Sequence, residues 1–334
     1  MNFKKWFKEW YYEWFVGHQL YERRLEVTTQ FKDAIFRLGK PFGDFPDAPT
    51  SLGDWNPMNV LNIAENMLLL QNTDGSWDKN LPIRSKFEPE EVKEIFLYGK
   101  YKNRGNLDNG ANWKHLRLLA TVYNVTKAER YRESASKCLD WILSQQHPVS
   151  GSWMNANHPY ITYNDDVTQG VLVTFQDILT NDYGDYDWVS EQKLKEVEDS
   201  YLRGIDCVLK TQHRSGGWAQ QHSHETLEPC WARSYEGPWL ATRESATVCR
   251  MLDRHLRYVP YMYAEDVETA VHRCKFWLTL TRLSNGSWPR FLFPGTTTPV
   301  FCDREGNIYK TWEELPEERR YGYGWFVSSP WEAL

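Results

Sequence analysis

One pattern occurs four times in this chain: an apolar-periodic run, a polar bend, then Gly-Ser-Trp or Gly-Gly-Trp. The copies are NIAENMLLLQNTDGSWDKN (62–80), CLDWILSQQHPVSGSWMNANHP (138–159), GIDCVLKTQHRSGGWAQQH (204–222) and CKFWLTLTRLSNGSWPRF (274–291). Their tryptophans, Trp77, Trp153, Trp218 and Trp288, stand about 70 residues apart, and a repeat at fixed period constrains architecture before any local feature does. The runs are helical by spacing. Tyr131, Ala135, Cys138, Leu139, Ile142 and Leu143 share one face, as do Val267, Val271, Cys274 and Leu278. A glycine that tolerates positive φ ends each helix, and the Trp after it can fold back over the helix end.

A second helix fits inside each of the first three repeats, over Trp113–Tyr123, Asp166–Leu179 and Leu240–His255. Helix pairs in series stack into a solenoid or close into a ring, with long loops gathered at one end. The expected fold is all-α, a partly closed α/α barrel with a cleft at its loop end. Residues 1–57 read as a helical lead-in packed on the body, and 58–334 as one toroidal domain. A further short helix is expected over Pro89–Tyr98.

The net charge of −6 argues against a nucleic-acid partner. No apolar run approaches the roughly 18 residues that span a bilayer. The start, MNFKKWFKEWYYEWFVG, is charged throughout and reads as an amphipathic helix rather than a signal peptide. Six cysteines without a CxxC pair, three of them on apolar helix faces (Cys138, Cys207, Cys274), read as core thiols. The 17 Trp and 19 Tyr read mostly as packing, with an excess on loops that suits a carbohydrate cleft.

Acidic and amide residues recur where second helices begin: Asp108-Asn109-Gly110 and Asn164-Asp165-Asp166. Each is a good N-cap. Together they supply the hard oxygen ligands that Ca²⁺ prefers, and repeat geometry puts them at the same end of the barrel. His213, His222 and His224 match no common zinc spacing. Arg233 has Glu236 and Glu244 as candidate ion-pair partners, and Arg243-Glu244 reads as a solvated helix face. Glu314–Arg320 reads as a short charged helix whose arginines, followed by an aromatic turn, suit a carboxylated sugar.

From about Asn62 to Trp325 the chain resembles the family 10 polysaccharide lyases, which are pectate lyases. The likeness lies in AENMLLLQNTDGSWDKN, DNGANWKHLRLLATVY, YITYNDDVTQGVL, LKTQHRSGGWAQQHSHETLEPCWARSYEGPWLATRES and TTTPVFCDREGNIY followed by EERRYGYGW. The resemblance implies an α/α toroid and Ca²⁺-assisted β-elimination of polygalacturonate by a monomeric, secreted or periplasmic enzyme. It implies Arg233 as base, Asp108 as a second acidic site residue, and Asp108, Asp165 and Asp166 as calcium ligands. Lys79, Asn109, Trp218, Tyr235 and one of Arg319 and Arg320 are the implied substrate contacts. Departures surround the site: Asp78 for Pro, Tyr160 for His, Asn112 for Thr, and Gly-Pro-Trp-Leu-Ala-Thr (237–242) where the family tends to Leu-Pro-Ser-Leu-Ser-Gly.

An arginine base runs against a side-chain pKa above about 12, so an alkaline optimum is expected. Three other readings fit parts of the pattern. QxxxGxW also marks class II terpene cyclases, but their Asp-x-Asp-Asp acid is replaced here by Tyr163-Asn164-Asp165-Asp166. An α/α-toroid hydrolase on uronic-acid sugars, or a non-catalytic polysaccharide-binding protein, would keep the same cleft.

Overall fold

The computed structural model describes residues 57–81, 104–155, 159–258 and 263–328. The lead-in ahead of Pro57 and the helix expected over Pro89–Tyr98 lie outside the described residues. The helices are α1 (Pro57–Leu70), α2 (Trp113–Thr126), α3 (Glu129–Ser144), α4 (Val167–Thr180), α5 (Glu191–Thr211), α6 (Thr242–Tyr258), α7 (Ala264–Leu280) and the short α8 (Glu317–Tyr321). Helices α2/α3, α4/α5 and α6/α7 pack as pairs, and α2, α4 and α6 touch in succession to form an inner layer. Burial follows that order. Helix α4 is buried without a break from Val167 to Gln176, as a helix surrounded by others must be. Outer helix α5 buries only a stripe that includes Val197, Tyr201, Gly204, Ile205 and Val208. The body is an α/α toroid. Among the described residues no helix is long and apolar enough to cross a membrane.

The four-fold pattern is a joint between repeats. Each indole Nε1 donates to a carbonyl of the helix before it: Trp77 to Met67 (2.8 Å), Trp153 to Ile142 (3.0 Å), Trp218 to Val208 (2.9 Å) and Trp288 to Leu278 (2.7 Å). All four rings are in the core. Trp218, implied above as a substrate contact, is therefore a packing residue: the helix fold-back that its position in the repeat dictates leaves no face open.

A glutamine at each helix end reaches the next repeat. Gln71 Nε2 donates to the carbonyls of Gly75 (2.8 Å) and Ser134 (3.0 Å). Gln146 does the same to Gly151 (2.6 Å) and Ser200 (2.7 Å), and Gln212 to Gly216 and Ala270 (2.8 Å each). The turn must come close for this. A Cβ on Gly151 (φ +74°) would stand 2.6 Å from the Arg203 carbonyl oxygen. In the last repeat Arg282 takes the glutamine's place, and among the described residues a Cβ on Gly286 would meet only the flexible Arg282 tip at 3.4 Å.

The backbone at three of these tryptophans is pinned to the start of the next inner helix. Asn112 Oδ1 accepts from Trp77 N (2.8 Å), Thr168 Oγ1 donates to Trp153 O (3.3 Å) and Ser245 Oγ accepts from Trp218 N (2.8 Å). Asn112, a departure from the family pattern, is thus a buried joint residue. Two-residue strands link the loops: β1 (Ile161–Thr162) with β2 (Gln221–His222), β3 (Leu240–Ala241) with β5 (Phe291–Leu292), β4 (Trp288–Pro289) with β8 (Phe326–Val327), and β6 (Phe301–Cys302) with β7 (Ile308–Tyr309), all antiparallel. Such short strands leave no period in a sequence. A second apolar cluster, including Trp239, Phe291, Phe301, Leu315 and Trp325, underlies the C-terminal loops.

The joint predicts unequal costs for one substitution. Gly286→Ala should cost about 1 kcal/mol, the left-handed backbone strain alone. Gly151→Ala adds a backbone collision and should cost more than about 3 kcal/mol. Urea unfolding midpoints measure both; equal losses would show that the close approach is unimportant.

Candidate active site

The residue two places after each repeat tryptophan comes to one end of the barrel: Lys79 and Asn155 beside the same cavity, Gln220 and Arg290 joined at Glu244. There they meet the turns that start the inner helices. Asp108–Gly110 and Asn164–Asp166 are short 3₁₀ turns in contact with each other. Asn109 (φ 55°), Asp165 (φ 52°) and Asp166 (φ 57°) are left-handed, a conformation Asn and Asp tolerate better than other side chains. That is the local reason for Asp-Asn-Gly and Asn-Asp-Asp at these places.

A cavity of about 150 Å³ opens between the turns. Lys79, Asp108, Asn109, Asp165 and Arg233 all line it, together with Asn155, Gln221 and Glu236. Lys79 is ion-paired with Asp108. Arg233 sits at the corner of a tight turn closed by Ala232 N to Glu236 O (3.0 Å) and Glu236 N to Arg233 O (2.9 Å). Its guanidinium pairs with Glu236 and stacks 4.8 Å above the Tyr235 ring. A wider groove on the flank, lined by Arg132, Glu133, Ser136, Lys137 and Trp188, gathers no comparable set of convergent groups.

Other expected residues lie differently. Asp166 is not part of the lining; its Oδ1 accepts from Gln169 Nε2 (3.2 Å). Arg319 is buried behind Tyr235, 5.2 Å from that ring and 4.2 Å from the Tyr323 ring, with Nε donating to the Cys302 carbonyl (3.1 Å). Its Nη2 is buried without an acceptor among the described residues. Arg320 Nη2 donates to the carbonyls of Leu315 (2.9 Å) and Glu313, while its Nε is buried without an acceptor among the described residues. The histidines serve the loop. His222 Nε2 accepts from Ala219 N (3.1 Å), and Nδ1 pairs with the Leu227 carbonyl (2.9 Å).

Glu244, expected on a solvated face, is buried. It is ion-paired with Arg290 and accepts from Gln220 Nε2 (3.0 Å). Gln220 also donates to Asn164 Oδ1 (2.9 Å), and Asn164 Nδ2 donates to Asp165 Oδ2 (2.9 Å). The third and fourth repeats thereby orient a carboxylate of the second. The signal for Gln220, Asn155 and Arg290 was present in the shared offset from the repeat tryptophans.

Charge is unevenly held in the cavity. Burial, then the adjacent Asp108, pushes the Asp165 carboxyl up to about 7. Burial also acts on Asp108, but hydrogen bonds from Lys79, Asp165 and Asn155 outweigh it and hold Asp108 below the usual carboxylate range. The bond to Glu236 raises Arg233 further above the ordinary arginine value. Two carboxyls forced together, with Asp108 Oδ1 lacking a hydrogen-bond partner among the described residues, make a place where a positive ion would be stabilised.

A family model described as pectic acid lyase matches residues 71–332. No curated protein matches the chain. Among solved structures, the family 10 polysaccharide lyase from Cellvibrio cellulosa is similar at 22% identity, with a TM-score of 0.70, over 91% of this chain and 94% of that one. An aspartate-to-alanine variant of it, in complex with trigalacturonic acid, gives 21% identity and a TM-score of 0.70, over 92% and 96% of the two chains.

The raised Asp165 carboxyl sets a stability prediction with a definite sign. Its folded pKa of about 7 exceeds the ordinary 3.8. The native state therefore holds the proton longer than the unfolded chain, and stability falls as pH rises through that window. Asp165→Asn should stabilise the protein in chelator by more than about 1 kcal/mol at pH 8.5 and leave it unchanged near pH 3.5. Urea unfolding at the two pH values checks this; a variant no more stable at pH 8.5 would contradict it.

Proposed function

This chain belongs to the pectic acid lyase family, and from that premise we propose that its cleft cleaves polygalacturonate by calcium-assisted β-elimination with Arg233 as the base. It is a polysaccharide lyase. The observation that supports the site assignment is convergence: Lys79, Asp108, Asp165 and Arg233, from three successive repeats, line one cavity.

The donor set fits calcium. Among the described residues no three His, Cys, Asp or Glu side chains gather into a metal cluster. Asp108 and Asp165, with the amide oxygens of Asn109 and Asn155, instead offer hard oxygen ligands and leave places for water and a substrate carboxylate. Asp166 is the weaker candidate, because its carboxylate is turned to Gln169. Bound there, calcium would relieve the Asp108–Asp165 repulsion and draw charge from a uronate carboxylate, acidifying the C5 proton.

Lys79 then donates to the uronate carboxylate, where negative charge grows as the C5–H bond breaks. Asn109 holds the sugar by hydrogen bonds, and Tyr235 braces the base from below. Arg319 and Arg320 each keep a buried N–H group without an acceptor among the described residues, and one of the two supplies the second guanidinium toward the substrate. Arg233 takes the C5 proton, the electron pair forms the C4–C5 double bond, and the O4 glycosidic oxygen leaves to give a 4,5-unsaturated end. In the free protein Glu236 keeps Arg233 protonated. The base form therefore needs high pH and release from that pair. A polymeric substrate places the working enzyme outside the cytoplasm, in the periplasm or the medium.

Turnover of polygalacturonate should give a rising ultraviolet absorbance from the unsaturated ends, dependent on calcium and lost in chelator. Arg233→Ala should lower the rate by about 10³-fold or more. Reducing ends without absorbance would mean hydrolysis, and binding without either product would mean a non-catalytic cleft. Removing the partner that raises the Arg233 pKa gives a second test. Glu236→Gln should move the alkaline rise of the rate to lower pH, and a rise left in place would disconnect Arg233 from proton abstraction.

A further inference from the structure

Among the described tryptophans Trp231 alone is exposed, with 48% of its surface open. An indole is one of the largest apolar surfaces a protein can bury, and this chain buries the repeat tryptophans completely. The exposed ring is not loosely held. Cys230 N, immediately before it, donates to the Gln221 carbonyl (3.2 Å), and Ala232 N, immediately after it, donates to the Glu236 carbonyl (3.0 Å). Gln221 and Glu236 both line the cavity. Trp231 thus stands on the rim, two residues before the proposed base.

The ring is also braced from below. Trp239 meets it edge-on, with centroids 5.5 Å apart at 73°. Trp239 is only 3% exposed and packs on Phe291 (5.9 Å), within the apolar cluster under the C-terminal loops. The brace needs a glycine beside it: a Cβ on Gly237 would lie 2.6 Å from the Trp239 ring. Gly237 and Trp239 belong to the segment 237–242, where this chain departs from the family pattern it resembles. The edge-on contact occupies at most one face of the Trp231 ring.

We infer that Trp231 is a stacking platform for a pyranose ring of the polymer, the sugar next to the uronate held over Arg233. The carboxylates of the substrate are met by Lys79 and the guanidinium groups. The C–H face of the neighbouring ring needs a flat apolar partner, and the braced indole supplies one at the place where the chain would leave the cavity. This role rests on the lyase reading, since it assumes a uronate polymer in the cleft. Trp231 contributes to holding the polymer and takes no part in proton transfer.

The test is steady-state kinetics on polygalacturonate for the wild type, Trp231→Ala and Trp231→Phe, with circular dichroism to confirm the fold. Trp231→Ala should raise KM about tenfold, equivalent to about 1.4 kcal/mol, with kcat within about twofold of the wild type. Trp231→Phe, which keeps a flat ring, should recover most of the loss. An unchanged KM in an active protein overturns the platform and leaves the lyase reading intact. A fall in kcat with KM preserved overturns it too, by making Trp231 a brace for Arg233. A wild type without turnover removes the lyase reading, and the platform falls with it.

Discussion

The side-chain amides of Gln71, Gln146 and Gln212 set the spacing on which the rest of the molecule depends. Each nitrogen bridges a carbonyl in its own turn and a carbonyl in the next outer helix. A neutral hydrogen bond contributes only about 0.5–1.5 kcal/mol net, but leaving a buried carbonyl unpaired costs more, so the bridge is stricter than its strength suggests. It fixes how near one repeat comes to the next. Glycine in the turn follows from that distance, and the tryptophan behind it seals the helix end. Where Arg282 replaces the glutamine, no described neighbour presses on the glycine, as expected for the last unit of an array.

The cleft is a consequence of this repetition. Because the chain leaves each tryptophan in the same direction, Lys79, Asn155, Gln220 and Arg290 arrive at one end, against the turns that open α2, α4 and α6. The result is mixed charge in a small space within a chain of net charge −6. Asp108 is paired with Lys79, whereas burial and the adjacent Asp108 outweigh the pull of Arg243 on Asp165 and drive it toward its neutral form. A site with an unsettled carboxylate next to a paired one suits a substrate that brings both a metal and a further carboxylate.

Much of this was readable before any coordinates, because a repeat writes the same physics several times. The helix pairs, the apolar stripes, the core cysteines (Cys138, Cys207 and Cys274, all buried) and the turns that carry Asp108 and Asp165 follow from periodicity and turn chemistry. Trp218 was misplaced by its polar surroundings, although its three equivalents pointed to the core. Glu244 was misread for a different reason. Its local sequence, Thr-Arg-Glu-Ser, is that of an ordinary exposed helix start, and its partner Arg290 lies 46 residues away in the next repeat. The contrast between Arg319 and Arg320 was beyond a sequence, since adjacent residues on a short helix differ only in which side faces Tyr235 and Tyr323.

The account stands most directly on where a uronate binds. A diffraction structure of the Arg233→Ala variant with calcium and a galacturonate trimer would locate it. The account predicts one galacturonate carboxylate beside Lys79, with the metal held by Asp108 and Asp165. A trimer bound away from these three residues, or a metal held without Asp108 and Asp165, would contradict it.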